Sequence, residues 1–112
     1  MANSALKRET IKPLPELKDT LRRLLGEKLA KLVLFGSRAR GDYDGSSDID
    51  IAIVVKGLSR ELKSAIFDSV AEIELKHLIP LSVIVFSEEE FNRLKERERR
   101  IALDIEKEGV PL

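Results

Sequence analysis

The chain contains no cysteine and no glutamine, and only two asparagines, Asn3 and Asn92. Without cysteine there is no disulfide framework, no thiolate zinc site and no cysteine nucleophile. There is no excess of charge of either sign: 20 basic residues balance 20 acidic ones. No global basic field draws in nucleic acid, so a polynucleotide partner is not expected without a local patch. No apolar run approaches the length of a membrane span. The N-terminal "MANSALKRET" lacks the apolar core of a signal peptide. The expected address is therefore the cytoplasm. Abundant balanced charge with few thermolabile amides predicts a heat-adapted source.

What is present fits a single globular domain over residues 1–112. Hydrophobic residues make up 43% and charged residues 36%, which excludes a disordered class. The length allows a real core but leaves no room for a second, substrate-binding domain. No internal repeat is visible. Pro13 and Pro15 mark a helix start, and Leu14, Leu17, Leu21, Leu24, Leu25 and Leu29 recur at helical spacing. A first helix is predicted over 14–29, and a short buried strand over 31–35, "KLVLF". A second strand covers 48–55, and Ser59 caps a helix running to about His77, with an apolar stripe at Leu62, Ala65, Ile66, Ser69, Val70 and Ile73. Pro80 precedes a third strand over 81–86. Ser87 and Glu90 form a capping box, with Phe86 and Phe91 as its hydrophobic staple. One last helix runs to about Lys107, stopped by Gly109 and Pro111. The predicted order is α-β-β-α-β-α: a small α/β (α+β) domain with a mixed sheet and helices packed against it.

The segment "FGSRARGDYDGSSDIDIAIV", 35–54, carries the chemistry. Asp48 and Asp50 alternate with isoleucines, so both carboxylates share one strand face. Two like charges held together repel, and a divalent cation between them resolves the conflict. All-oxygen ligands suit magnesium or manganese. Upstream, Gly36 lets a phosphate approach the backbone, and the amides of the turn at Ser37 form an anion site. Arg38 and Arg40 can neutralise phosphate charge. A phosphate cradle beside a carboxylate–metal site points to nucleotide chemistry.

"GSRARG", whose Gly-Ser pair is followed after ten residues, 38–47, by "DID", resembles the signature of the DNA polymerase beta-like nucleotidyltransferase superfamily. It is most similar to the minimal nucleotidyltransferase (MNT) group, whose antitoxins pair with HEPN toxins. The resemblance implies the nucleotidyltransferase fold and transfer of a nucleoside monophosphate from ATP or another nucleoside triphosphate, with two metals and loss of pyrophosphate. It implies that Gly36 and Ser37 hold the triphosphate and that Asp48 and Asp50 bind both metals. It also implies that toxin-linked members adenylylate their partner, often at a tyrosine. The family pattern places a third carboxylate where this chain has Ser82, within Leu81-Ser82-Val83. Weak turnover with retained ATP binding is the expectation.

Other residues carry blander readings. Asp42 and Asp44 are turn formers in "GDYDGSS", and Tyr43 is a loop residue. His77, the sole histidine, faces a helix C-terminus or packs there. "RLKERERR", 93–100, alternates in sign and reads as a solvated helix face. Phe91, Leu94, Glu98, Ile101 and Ile105 form a seam that is core or a partner interface. Three functions follow. The first is an enzyme that adenylylates a protein or other partner-supplied acceptor. The second is a nucleotide-binding, antitoxin-like module that neutralises a helical HEPN-like protein without turnover. The third, disfavoured by the lack of an acceptor domain, is transfer to a small acceptor such as an antibiotic. The sequence leaves the oligomeric state open, a homo-oligomer included.

Overall fold

A computed structural model describes residues 13–36 and 49–112. Helix α1 spans Pro13–Leu25 and buries Leu14, Leu17, Leu21 and Leu25. It stops earlier than its leucine spacing predicts. Gly26 has φ +56° and opens a short 3-10 turn over Gly26–Lys28, because glycine takes the left-handed conformation without a Cβ clash. Leu29 therefore belongs to strand β1, Leu29–Phe35, not to the helix.

Strand β2, Ile49–Val55, is central and buried along nearly its whole length. It pairs antiparallel with β1 and parallel with β3, Leu81–Ser87. Between β2 and β3 runs helix α2, Arg60–His77. The Ser59 hydroxyl accepts the Leu62 N–H at 3.1 Å, the expected N-cap. Ile66, Val70 and Ile73 of the predicted stripe are buried. At the far end of α2 the Glu74 carboxylate accepts the Leu81 N–H at 2.8 Å, fixing the start of β3.

The C-terminal region departs from a single helix. Helix α3, Glu88–Glu96, and helix α4, Arg100–Glu108, are separated by Arg97–Arg99. Glu98 sits at φ +54°. Its N–H reaches the Lys95 carbonyl at 3.0 Å, and the Arg99 N–H reaches the Leu94 carbonyl at 2.9 Å. These two bonds are the Schellman helix stop, which usually has glycine in the left-handed position. The Ser87 half of the predicted capping box holds, with Ser87 Oγ accepting the Glu90 N–H at 3.0 Å, and the Phe86 and Phe91 rings of the staple lie 5.4 Å apart.

A short strand β4, Val110–Pro111, replaces the simple stop expected there. It pairs antiparallel with β1, giving the sheet order β3-β2-β1-β4. Gly109 is extended, not left-handed. A Cβ there would strike the Val33 side chain and the Ile105 carbonyl, so the glycine serves a close approach. Among the described residues the order of helices and strands is α-β-β-α-β-α-α-β, with the 3-10 turn between the first helix and the first strand.

Each sheet face has its own apolar layer. Ile49, Ile51, Ile53 and Val55 pack with the leucines of α1 and with Ile66, Val70 and Ile73 of α2. Ala52 and Val54 pack with Val33, Phe86, Phe91, Ala102 and Ile105. The seam on α3 and α4 is therefore core: Phe91 and Ile105 are buried, Leu94 and Ile101 pack against them, and Glu98 lies in the break between helices.

Candidate active site

Three strands bring one row of residues together at the end of the sheet. Phe35 closes β1, Asp50 stands second in β2 and Ser82 second in β3. The register pairs Phe35 with Asp50 and Asp50 with Ser82. Paired residues of neighbouring strands share a face, and alternation puts this row on the face of Ala52 and Val54, the side covered by α3 and α4. Asp50 is half-buried and Ser82 exposed, so the row lies where the second apolar layer gives way to solvent.

Gly36 completes the arrangement. It follows Phe35 with φ +76°. A Cβ at Gly36 would overlap Oδ2 of Asp50 and lie 3.1 Å from its Cγ. The carboxylate thus occupies the space that any side chain at position 36 would take. Position 36 requires glycine twice over, for its backbone conformation and for this contact. The end of β1 is consequently held against the acid of β2.

Of the residues singled out by sequence, Gly36, Asp50 and Ser82 are brought together. Ser37, Arg38, Arg40 and Asp48, with Asp42, Tyr43 and Asp44, lie outside the described residues. Among the described residues no group of three or more histidine, aspartate or glutamate side chains is placed to hold a metal. The donors the row offers, a carboxylate and a hydroxyl, are all oxygen. That set fits a hard divalent cation, which takes one or two protein carboxylates and completes its shell with water and phosphate oxygens. Phe35 is the member that the sequence reading left unassigned. Its signal was the strand alternation that puts it on the same face as Val33.

His77 belongs to α2, which packs on the opposite face of the sheet from this row. Its Nε2 lies 3.0 Å from Glu16 Oε1, joining α2 to α1, and Lys76 Nζ lies 3.1 Å from the same oxygen. The hydrogen bond from His77, then that from Lys76, holds the Glu16 carboxyl below its ordinary range. Glu106 is lowered likewise, first by its hydrogen bond from Lys95, with Lys31 adding to it. The run 93–100 thus contributes a structural tie at Lys95.

Comparison with known proteins shows what the chain as a whole is similar to. Residues 14–110 match the profile of the nucleotidyltransferase domain. Two proteins of Methanocaldococcus jannaschii, each named as a candidate protein adenylyltransferase, are similar. One is 38% identical over 79 residues, covering 70% of this chain and 80% of the relative. The other is 35% identical over 82 residues, covering 73% and 78%. A crystal structure described as a candidate nucleotidyltransferase from Sulfolobus solfataricus matches with a TM-score of 0.58 and 25% identity, over 99% of this chain and 86% of that one.

Proposed function

Since the chain belongs to the nucleotidyltransferase domain family, we propose that it transfers adenylate from ATP to a hydroxyl supplied by a protein partner. The acceptor oxygen bonds to the α-phosphorus, the bond to the β-phosphate oxygen breaks, pyrophosphate leaves and the acceptor proton passes to water. The observation that carries the reading is the seating of Gly36 against the Asp50 carboxylate. It sets a glycine backbone beside an acid, with Ser82 across from that acid, which supports the reading of Gly36 as a place where a phosphate can approach. In this reading Asp48 and Asp50 hold magnesium or manganese. When bound, the ion would polarise the phosphoryl group and offset the charge of the leaving pyrophosphate. The amides at Gly36 and Ser37 receive the triphosphate, and Arg38 and Arg40 balance its charge. The acceptor enters from a partner, for which a helical HEPN-like protein is the proposed candidate.

A second reading is favoured by one specific residue. Ser82 is neutral at the position facing Asp50, so the row offers one charge fewer than a three-carboxylate site. A module that holds ATP and neutralises its partner without turnover has the same row. Pyrophosphate release from ATP and magnesium, with and without a co-purified helical partner, separates the two. Release that needs the partner and disappears in Asp50→Asn supports transfer. Bound ATP with no release under either condition supports the binding module, and absence of ATP binding overturns both.

A further inference from the structure

Strand β3 forms one edge of the sheet, and among the described residues no strand lies on its outer side. Its register with β2 runs from Leu81 to Ser87 without a break. Natural edge strands are blunted by lysine, proline or a bulge, and "LSVIVFS" has none of these. Alternate residues of a strand turn their backbone groups to opposite neighbours. Leu32 turns its carbonyl to the β4 side, accepting the Leu112 N–H. Counted across the registers, Val33 and Ala52 then face each other, Ile51 and Ile53 face β3, and their partners Val83 and Val85 face outward. The Leu81 N–H has the same parity and goes to the Glu74 carboxylate instead of to β2. That carboxylate closes the first position of the edge and leaves Val83 and Val85 with no strand beside them among the described residues.

This edge borders the candidate active site. Gly36 meets Asp50 from the β1 side, and Ser82 stands on the β3 side. In phosphoryl transfer the attacking and leaving oxygens lie roughly in line. With the leaving pyrophosphate toward Gly36, the attacking hydroxyl comes from the side of Ser82, across the edge of β3. Resting on the transfer reading above, we propose that the partner carries its acceptor hydroxyl on an extended segment outside its helices. That segment adds as a strand to the outer side of β3 and sets the acceptor residue across from Ser82. Its backbone pairs with the N–H and C=O groups of Val83 and Val85, which only an extended chain can match along an edge. The acceptor residue then shares the face of Ser82 and Asp50 and extends their row by one position. Neighbouring strands lie about 4.8 Å apart, so its Cα stands about 9.6 Å from that of Asp50. The long side chain of tyrosine bridges that span, and serine does not.

The probe is a capped peptide of about seven residues, valine alternating with threonine and tyrosine at its centre. Without ATP, the peptide should bind and protect the Val83 and Val85 amides from hydrogen exchange. Val83→Pro removes an outward donor and leaves the ladder to β2 in place. It should weaken the peptide at least about threefold, the loss of one hydrogen bond. Should the proline unfold the chain, the peptide itself carries the test. N-methyl groups on the peptide nitrogens that face β3 abolish binding, and on the alternate nitrogens they do not. With ATP and magnesium, adenylate transfer to the tyrosine follows the same pattern, and Asp50→Asn binds the peptide but transfers nothing. Protected amides without transfer by the wild type keep β3 as a docking edge and remove the transferase reading. Transfer that ignores the N-methyl pattern keeps the transferase and overturns the strand addition. So does a lack of amide protection at saturating peptide, or a wild type that pairs with itself along β3, read as a doubled mass without peptide.

Discussion

Ser82 stands directly across from Asp50 on the adjacent parallel strand, and both leave the sheet on the same face. A carboxylate placed at 82 would therefore face the acid of β2. Ser82→Asp is expected to raise adenylyl transfer while ATP affinity changes little. Without metal the two carboxylates repel, so the variant melts lower than wild type in chelator and recovers in magnesium. A robust wild-type rate that Ser82→Asp leaves unchanged or reduces would show that another oxygen already serves.

Asp50→Asn keeps the shape of the side chain and removes its charge. With Asp48→Asn it is expected to weaken magnesium-dependent ATP binding by about tenfold or more, the loss of a charge-assisted contact. Calorimetry with magnesium present reads this directly. Equal affinities for wild type and double variant would remove the assigned role of both aspartates.

Gly36 and Gly57 form a matched pair. Both have positive φ, but only Gly36 has a neighbour that a Cβ would strike. Gly57→Ala should cost about 1 kcal/mol, the strain of the left-handed conformation. Gly36→Ala should cost about 2 kcal/mol or more, since the displaced Asp50 carboxylate adds to that strain. Denaturant midpoints of the two variants decide the order.

Glu98 holds the turn between α3 and α4 at φ +54°. Glycine takes this conformation without the Cβ clash, so Glu98→Gly is expected to stabilise by up to about 1 kcal/mol. A fall in melting temperature would mean that its side chain supports the turn in another way.

The Glu16 carboxyl is held below its ordinary range by His77 and then Lys76. A lowered carboxylate stabilises the fold above its ordinary value, here 4.5, and that contribution disappears as pH falls through the lower folded value. Between pH 7 and this region the wild type should lose more stability than Glu16→Gln. Parallel melting curves for the two proteins as pH falls from 7 through 4.5 to more acidic values would refute the tie.

Local chemistry made much of this fold legible. The caps at Ser59 and Ser87 were visible because a hydroxyl precedes each apolar stripe, and β2 because isoleucine alternates with aspartate and alanine. Gly36 and Asp50 were singled out by motif spacing and strand period and Ser82 by the family resemblance, and the strand register is what sets Asp50 beside Ser82. The break at 97–99 was not visible. "RLKERERR" consists of good helix formers, and the left-handed stop falls on a glutamate instead of a glycine. Strand β4 has only two residues, too few for a period, and its pairing is decided by the space that Gly109 leaves beside Val33.

Burial on both sides of β2 limits where an acid can stand on that strand. Two residues inward from Asp50, Ala52 has no exposed surface, and a carboxylate there would be driven to its neutral form or would open the fold. The depth of the site is thus set by where α3 and α4 stop covering the sheet, more than by the strand itself. Lengthening that cover would silence the site with every site residue still in place, whereas shortening it would give the same row a wider mouth.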